Sequence, residues 1–334
     1  MTDPLQAVAG RRGWIISDGK AGHEAQARGV AEALGLAVEF KRVAPAAPWS
    51  VLSPWGPVAR SERFGGPSSP FRPPWPDFAF AIGRLTIPYI RRLKHMAGLA
   101  SYTVILLDPK VSARTADLFW VPEHDKLRGP NVITTLTAPH TFSANRLAEL
   151  RSQVSAEIAA LPSPRVAVLL GGPNGDYRYT PPRVAHLASA LQSLGASGAG
   201  LMITPSRRTP PDVVAFLREQ TDGQPRFFWN GESENPYAQF LAQADAFIVP
   251  ADSINMTGEP CATGKPIFVF EPEGGSAKFA RFHDALRRLG ATRPLPARFE
   301  RLDSWTYPSL DSASVIAAEI ARRWVKRRQM LGGR

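Results

Sequence analysis

The chain has 334 residues, enough for two ordinary domains, and 44% hydrophobic with 21% charged residues excludes a disordered chain. Lys plus Arg number 40 against 29 Asp plus Glu, and the net charge of +11 attracts polyanions such as phosphates, nucleic acid or an anionic membrane surface. The lone cysteine, Cys261, excludes an intrachain disulfide framework or a cysteine-based zinc site, no apolar run approaches the ~20 residues of a spanning helix, and residues 1–13 lack the apolar stretch of a secretory signal.

Residues 13–16 read as a strand running into Ser17-Asp18-Gly19-Lys20-Ala21-Gly22. Residues 23–34 read as a helix, with Ala25, Val30, Ala31 and Leu34 at helical spacing. Strand, glycine-rich turn and helix open a doubly wound fold, and 36–43 supplies a second strand. Residues 45–76 break the pattern with dense Pro, Gly, Ser, Trp and Arg. Such proline density prevents regular helix or central strand, and a loop of this length is usually functional or mobile.

The alternation resumes with strand 78–82 ending at Gly83-Arg84, helix 86–96, strand 102–107 ending at Asp108-Pro109-Lys110, and strand 118–121 ending at Pro122-Glu123-His124-Asp125. Residues 131–134 are extended and 145–160 helical, and Leu161-Pro162-Ser163-Pro164 reads as a junction. A second series follows: strand 165–170, helix 184–194, strand 200–204, helix 211–220, strand 226–229, helix 235–244, strand 246–249, helix 254–263, strand 266–270 and helix 278–289. The last helix, 312–330, ends in cations, as suits a helix C-terminus. The expected fold is α/β: two Rossmann-like parallel-sheet domains facing each other across a cleft, spanning 1–160 (with the insertion 45–76) and 161–310, followed by a basic helix in 311–334.

Functional residues in such folds sit where strands end and helices begin. In the first loop Gly19 and Gly22 permit close backbone approach to a ligand, and His23 beside Asp18 is a candidate general base. His124 and Asp125 form a second candidate acid/base pair, and no tight His/Asp spacing suggests a metal. Gly171, Gly172 and Asn174 follow the first strand of the second series, where backbone amides suit a phosphate. Asp252 or Ser253 caps the helix that begins near Asn255 and exposes amides for a diphosphate, and Glu259, about two turns into that helix, is placed to accept hydrogen bonds from ribose hydroxyls. Arg207, Arg208 and Lys278 are candidates for neutralising a leaving diphosphate.

The order of these motifs resembles the elongated-mitochondria (mitochondrial fission Elm-like) family of plant fission proteins and bacterial homologues. The carrying stretches are 17–24, 122–125, Leu-Gly-Gly-Pro-Asn at 170–174, Thr-Pro-Ser-Arg-Arg-Thr at 204–209, Asp-Ser-Ile-Asn-Met at 252–256 and Gly-Lys-Pro at 264–266. More distantly, the layout is similar to GT-B glycosyltransferases such as the membrane-peripheral N-acetylglucosaminyltransferase of peptidoglycan synthesis. Gly22-His23 matches its Gly-His loop, Gly171-Gly172 its Gly-Gly turn, and Glu259 with Gly264 and Pro266 its donor helix. Its Gln-Gln sugar-contact pair is replaced here by Gly274-Gly275-Ser276-Ala277-Lys278. This resemblance implies a metal-independent transferase that requires no cofactor and uses a nucleotide-diphosphate sugar, with Glu259 on the ribose and 252–255 facing the diphosphate.

The insertion 45–76 and the cations Arg91, Arg92 and Lys94 suit an anionic lipid surface and a lipid-linked acceptor. The expected location is cytoplasmic, peripheral on the inner face of the membrane, without nucleic acid as a partner. The alternatives are a non-catalytic GT-B-like scaffold holding a protein partner at a membrane and a nucleotide-sugar epimerase.

Overall fold

The computed structural model describes residues 3–66 and 69–332. The chain forms two compact units, one of 1–141 with 311–334 and one of 142–310.

Unit 1 contains α1 (Pro4–Val8), β1 (Arg12–Ser17), α2 (Ala21–Ala33), β2 (Ala37–Arg42), α3 (Trp49–Leu52), β3 (Phe78–Ile82), α4 (Ile87–Ala97), β4 (Tyr102–Leu106), β5 (Leu118–Pro122) and β6 (Val132–Thr135). The strands form one parallel sheet in the order β2-β1-β3-β4-β5-β6. β1, β3, β4 and β5 are apolar almost throughout, because helices and the insertion cover both faces of the sheet.

Unit 2 contains α5 (Ala144–Ser152), α6 (Ala156–Ala159), β7 (Arg165–Leu170), β8 (Tyr177–Arg178), α7 (Pro181–Ala196), β9 (Gly200–Pro205), α8 (Pro211–Gln220), β10 (Arg226–Phe228), α9 (Tyr237–Gln243), β11 (Ala246–Pro250), α10 (Ile254–Gly258), β12 (Ile267–Phe270), β13 (Glu273–Gly274), α11 (Ala277–Arg288) and β14 (Thr292–Pro294). Its main sheet has the order β10-β9-β7-β11-β12-β14, and β8 pairs antiparallel with β13. Renumbered within the unit, the main order is the 3-2-1-4-5-6 of a Rossmann sheet.

The last helix, α12 (Ser312–Gly332), returns to unit 1. Its Ile316, Ile320 and Trp324 join Ile15, Phe78 and Phe80 in one core, and Trp324 lies 5.6 Å from the Phe78 ring. The expected helix 145–160 is two helices, because Ser155 caps a new start by accepting from the Ile158 amide at 3.4 Å. α5 belongs to unit 2: Arg151 donates to the Ala242 carbonyl at 3.1 Å, and Gln243 to those of Leu150 and Arg151 at 3.3 and 3.1 Å. The units therefore divide at 141/142, upstream of the junction expected at 161–164. The expected helix 254–263 is α-helical only to Gly258 and continues as a 3-10 turn, Glu259–Thr263, with Pro260 in its first turn.

The insertion is a packed layer and not an open loop; its Pro67 and Ser68 lie outside the described residues. Phe71 is fully buried, stacks on Phe64 at 4.6 Å and meets Trp14 edge-on at 6.1 Å and Tyr89 at 5.4 Å. Glu62 accepts the Tyr89 hydroxyl, and Arg84 donates to the Ser53 carbonyl at 2.6 Å. Among the described residues no helix is long and apolar enough to cross a membrane. Removing the Phe71 ring leaves a cavity under this layer. Phe71→Ala is expected to cost about 3–5 kcal/mol in urea denaturation and to make 45–76 the first site of limited proteolysis; an unchanged midpoint and cleavage pattern would contradict the packing role.

Candidate functional site

In a parallel sheet all strands end on one edge, and ligands bind where the strand order reverses. In unit 1 the reversal lies between β1 and β3. β1 ends in Ser17 and passes through Asp18-Gly19-Lys20 into α2, with Gly19 at φ +78°, a conformation that suits glycine. His23 and Gly22 lie in the first turn of α2. The Asp18 side chain is 4% exposed, and its Oδ1 lies 2.9 Å from His23 Nδ1. Lys20 Nζ approaches its other oxygen at 3.1 Å. Burial pushes the Asp18 carboxyl up, but the hydrogen bonds of His23 and Lys20 outweigh it and hold the carboxyl below its ordinary value. An ionised carboxylate only accepts, so Nδ1 donates to Asp18.

Two further groups shape this loop. Gly83, at the end of β3, has φ +92°, and a Cβ there would stand 3.0 Å from both Asp18 Oδ2 and His23 Nδ1. Glu24 receives Ser17 Oγ at 2.6 Å and the Arg42 guanidinium at 2.7 and 2.8 Å, and its pKa falls to about 2, chiefly through Arg42. This second pair anchors the start of α2 beneath His23.

His124 and Asp125 have a different setting. The segment after β5 is a turn closed by the Asp125 amide on the Pro122 carbonyl at 3.0 Å and braced by Arg128 on the carbonyls of Glu123 and Asp125, at 2.9 and 2.7 Å. The His124 ring is buried and Asp125 half-buried. At the neighbouring strand end Leu107 and Lys110 take positive φ, 74° and 58°, around Asp108, whose carboxylate holds the Lys110 amide and ammonium. Sequence periodicity carries no sign of that strained backbone.

In unit 2 the reversal lies between β7 and β11. Here the expected ligand-binding residues bind one another. The Asp252 side chain is 0% exposed; its Oδ1 accepts Tyr179 at 2.6 Å, and its Oδ2 accepts Arg208 at 2.8 Å and the Gly172 amide at 3.3 Å. Arg208 also donates to the Gly172 carbonyl at 2.8 Å. Asn174 donates to the Asp252 carbonyl at 3.0 Å and accepts the amides of Asp176 and Tyr177 at 2.8 and 2.9 Å. A Cβ at Gly171 would overlap the Asp252 carboxylate, and one at Gly172 the Arg208 carbonyl. These glycines thus admit a protein network. Ser253 caps the five-residue α10 by accepting from Met256 at 3.3 Å, and Asn255 lies within that helix. Arg207 is exposed beside the network and makes no hydrogen bond or ion pair with the described residues.

A cavity of about 500 Å³ opens beside this network. Its wall includes Tyr177, Arg183 and His283, and its mouth the run Gly274-Gly275-Ser276-Ala277. Gly274 and Gly275 have φ +114° and +121°, and no side chain caps the N-terminus of α11 that they lead into, where Lys278 occupies the first turn. Helix amides and dipole both favour an anion at such an end. The carboxylates nearby are engaged: Glu273 with Arg178 at 2.8 Å and Glu271 with Arg287 at 3.6 Å. His283 donates Nε2–H to the Ala251 carbonyl at 2.9 Å, while its buried Nδ1 has no hydrogen-bond partner. Burial lowers its pKa, which keeps the ring neutral and Nδ1 an acceptor. Sequence reasoning did not single out His283, Tyr177, Tyr179 or Arg183; the run Gly274-Gly275-Ser276-Ala277-Lys278 marked the place.

Glu259 does not line this cavity. It heads the 3-10 turn and accepts the Tyr237 hydroxyl. Burial raises its pKa to about 7, against the opposing hydrogen bond. Among the described residues no group of three or more His, Cys, Asp or Glu side chains is arranged to hold a metal ion. A carboxyl with a raised folded pKa gives its full stability below its unfolded value near 4.5 and loses it as pH rises through about 7. Glu259→Gln is therefore expected to match the parent in acid and to exceed it by about 1–3 kcal/mol above neutrality, read from urea midpoints across pH; parallel curves would contradict the burial.

Comparison with known proteins follows this geometry. The Mitochondrial fission ELM1 family model matches residues 21–324. The mitochondrial fission protein ELM1 of Arabidopsis thaliana is 29% identical over 276 residues, covering 75% of this chain and 65% of that protein, so the chain spans less than two thirds of that relative. Among solved structures, a UDP-GlcNAc 2-epimerase from Methanocaldococcus jannaschii is 8% identical with a TM-score of 0.50, covering 93% of this chain and 99% of its own. The MnaA–UDP co-structure from S. aureus is 9% identical with a TM-score of 0.50, covering 95% and 89%. These likenesses are of fold, the GT-B-like pair of Rossmann-type sheets. With the family model matched across most of its length, the chain belongs to the mitochondrial fission ELM1 family.

Proposed function

We propose that the chain binds a nucleotide-diphosphate sugar in unit 2 and transfers the sugar to an acceptor hydroxyl. The observation that carries this reading is the cavity at the switch point of a 3-2-1-4-5-6 sheet, closed by the uncapped N-terminus of α11 and its two positive-φ glycines. Backbone amides there suit a diphosphate without a bound metal, and Arg183 adds a cation. In unit 1 the Asp18–His23 pair suits a general base, with Nδ1 held by Asp18 and Nε2 of the neutral ring able to take a hydroxyl proton. A lipid-linked acceptor fits a basic protein at an anionic membrane surface.

A second reading is a non-catalytic scaffold that binds a protein partner, in line with the name of its plant relative. The closed network of Asp252, Arg208, Asn174 and Tyr179 favours it, because these polar groups serve the fold.

Isothermal titration with UDP, GDP, TDP and CMP in the presence of a chelator separates the two. One nucleoside diphosphate is expected to bind, with a loss of about tenfold or more in Arg183→Ala, since Arg183 lines the cavity. A folded protein that binds none of the four would sink the transferase reading and leave the scaffold.

A further inference from the structure

A cavity of about 940 Å³ lies between the insertion and α4, well along the chain from the loops described above. Its lining carries Arg60, Arg63, Arg91, Arg92 and His95, and no Asp or Glu. The nearby carboxylate of Glu62 is engaged elsewhere, by the Tyr89 hydroxyl and the Ala44 amide at 3.3 Å. Arg91 donates to the carbonyls of Trp55, at 2.9 Å, and Gly56, and so holds the insertion on the helix. Arg60, Arg63 and Arg92 are exposed and make no hydrogen bond or ion pair with the described residues. Several guanidinium groups around one hollow repel one another until an anion enters, and their planar forks match phosphate oxygens in pairs.

The rim has a second property. Val51 and Trp55 are 71% and 68% exposed, with Leu52 beside them. Their backbone is clamped onto α4 and the turn before it, by Arg84 of that turn on the Ser53 carbonyl at 2.6 Å and by Arg91 of α4 on those that follow. Apolar side chains held rigidly in water beside a cationic hollow suit an interface where headgroups meet acyl chains, with Trp at headgroup depth.

We propose that this hollow binds the phosphate-bearing headgroup of a membrane lipid, with Val51, Leu52 and Trp55 entering the interface. The inference goes beyond the sugar-transfer reading and does not require it, since nucleotide binding and vesicle binding are measured separately.

Sedimentation of the full chain with vesicles of phosphatidylcholine, alone or mixed with phosphatidylglycerol, tests it. Binding is expected only to the mixed vesicles. Arg60→Gln/Arg63→Gln/Arg92→Gln, which spares the structural Arg91, is expected to lower partitioning on the order of 100-fold, at roughly a factor of five per cation lost near an anionic surface. Arg114→Gln/Arg298→Gln/Arg301→Gln, with the same net charge, should partition as the parent does, and Trp55→Ser should weaken binding without altering the melting temperature. Equal losses in the two triple variants would reduce the effect to net charge and overturn the site. Titration with inorganic pyrophosphate is the last arm: tight binding to the parent, unaffected by Trp55→Ser and without vesicle partitioning, would assign the hollow to a soluble phosphate compound and overturn the lipid proposal.

Discussion

Parallel pairing fixes where chemistry can occur in this molecule. Every strand of each main sheet ends on the same edge, and at one place in each the chain runs outward to either side, so that the loops after two central strands part. In unit 1 that place brings Asp18, His23 and Gly83 together; in unit 2 it brings together the loops of 171–174 and 252–255 and the cavity beside them. The apolar strands that hold the sheets together have no polar side chains to spare, so the reactive groups are concentrated at their ends.

Glycine has different meanings in the two units. Gly19 and Gly83 let a short loop and a strand end close around the Asp18–His23 pair. Gly171 and Gly172 admit the Asp252 carboxylate and the Arg208 backbone, which fill the space that a phosphate would otherwise take. At the mouth of α11, Gly274 likewise makes room for the Asp176 carbonyl, and Gly275 donates its amide to that oxygen at 2.7 Å. The same residue type after the same kind of strand therefore frames an Asp–His pair in one case and an internal salt bridge in the other. The difference rests on what the adjacent loop supplies.

Much of the architecture is legible in the sequence because buried parallel strands are continuous apolar runs bounded by glycine, proline or aspartate. The runs at 78–82, 102–107, 165–170 and 246–249 reappear as strands within a residue or two. The 45–76 segment is less legible, because its order comes from rings far apart in sequence, Trp14, Phe64, Phe71 and Tyr89, and from arginines of α4. The Asp18–His23 pair is visible as a local spacing of five residues. The partnership of Asp252 with Arg208 and Tyr179 spans 44 and 73 residues and follows no periodic pattern. The return of α12 to unit 1 is likewise a matter of tertiary packing, since its Ile316, Ile320 and Trp324 read equally well as the apolar face of any amphipathic helix.

The central claim is that unit 2 holds a donor's diphosphate at the start of α11 and not at the start of α10. A crystal structure of the chain soaked with the nucleoside diphosphate that it binds tests this directly. The account predicts phosphate oxygens on the backbone amides of residues 276 and 277, with the Asp252–Arg208 pair intact. A diphosphate seated on Ser253 and Asn255, with Arg208 released from Asp252, would contradict it.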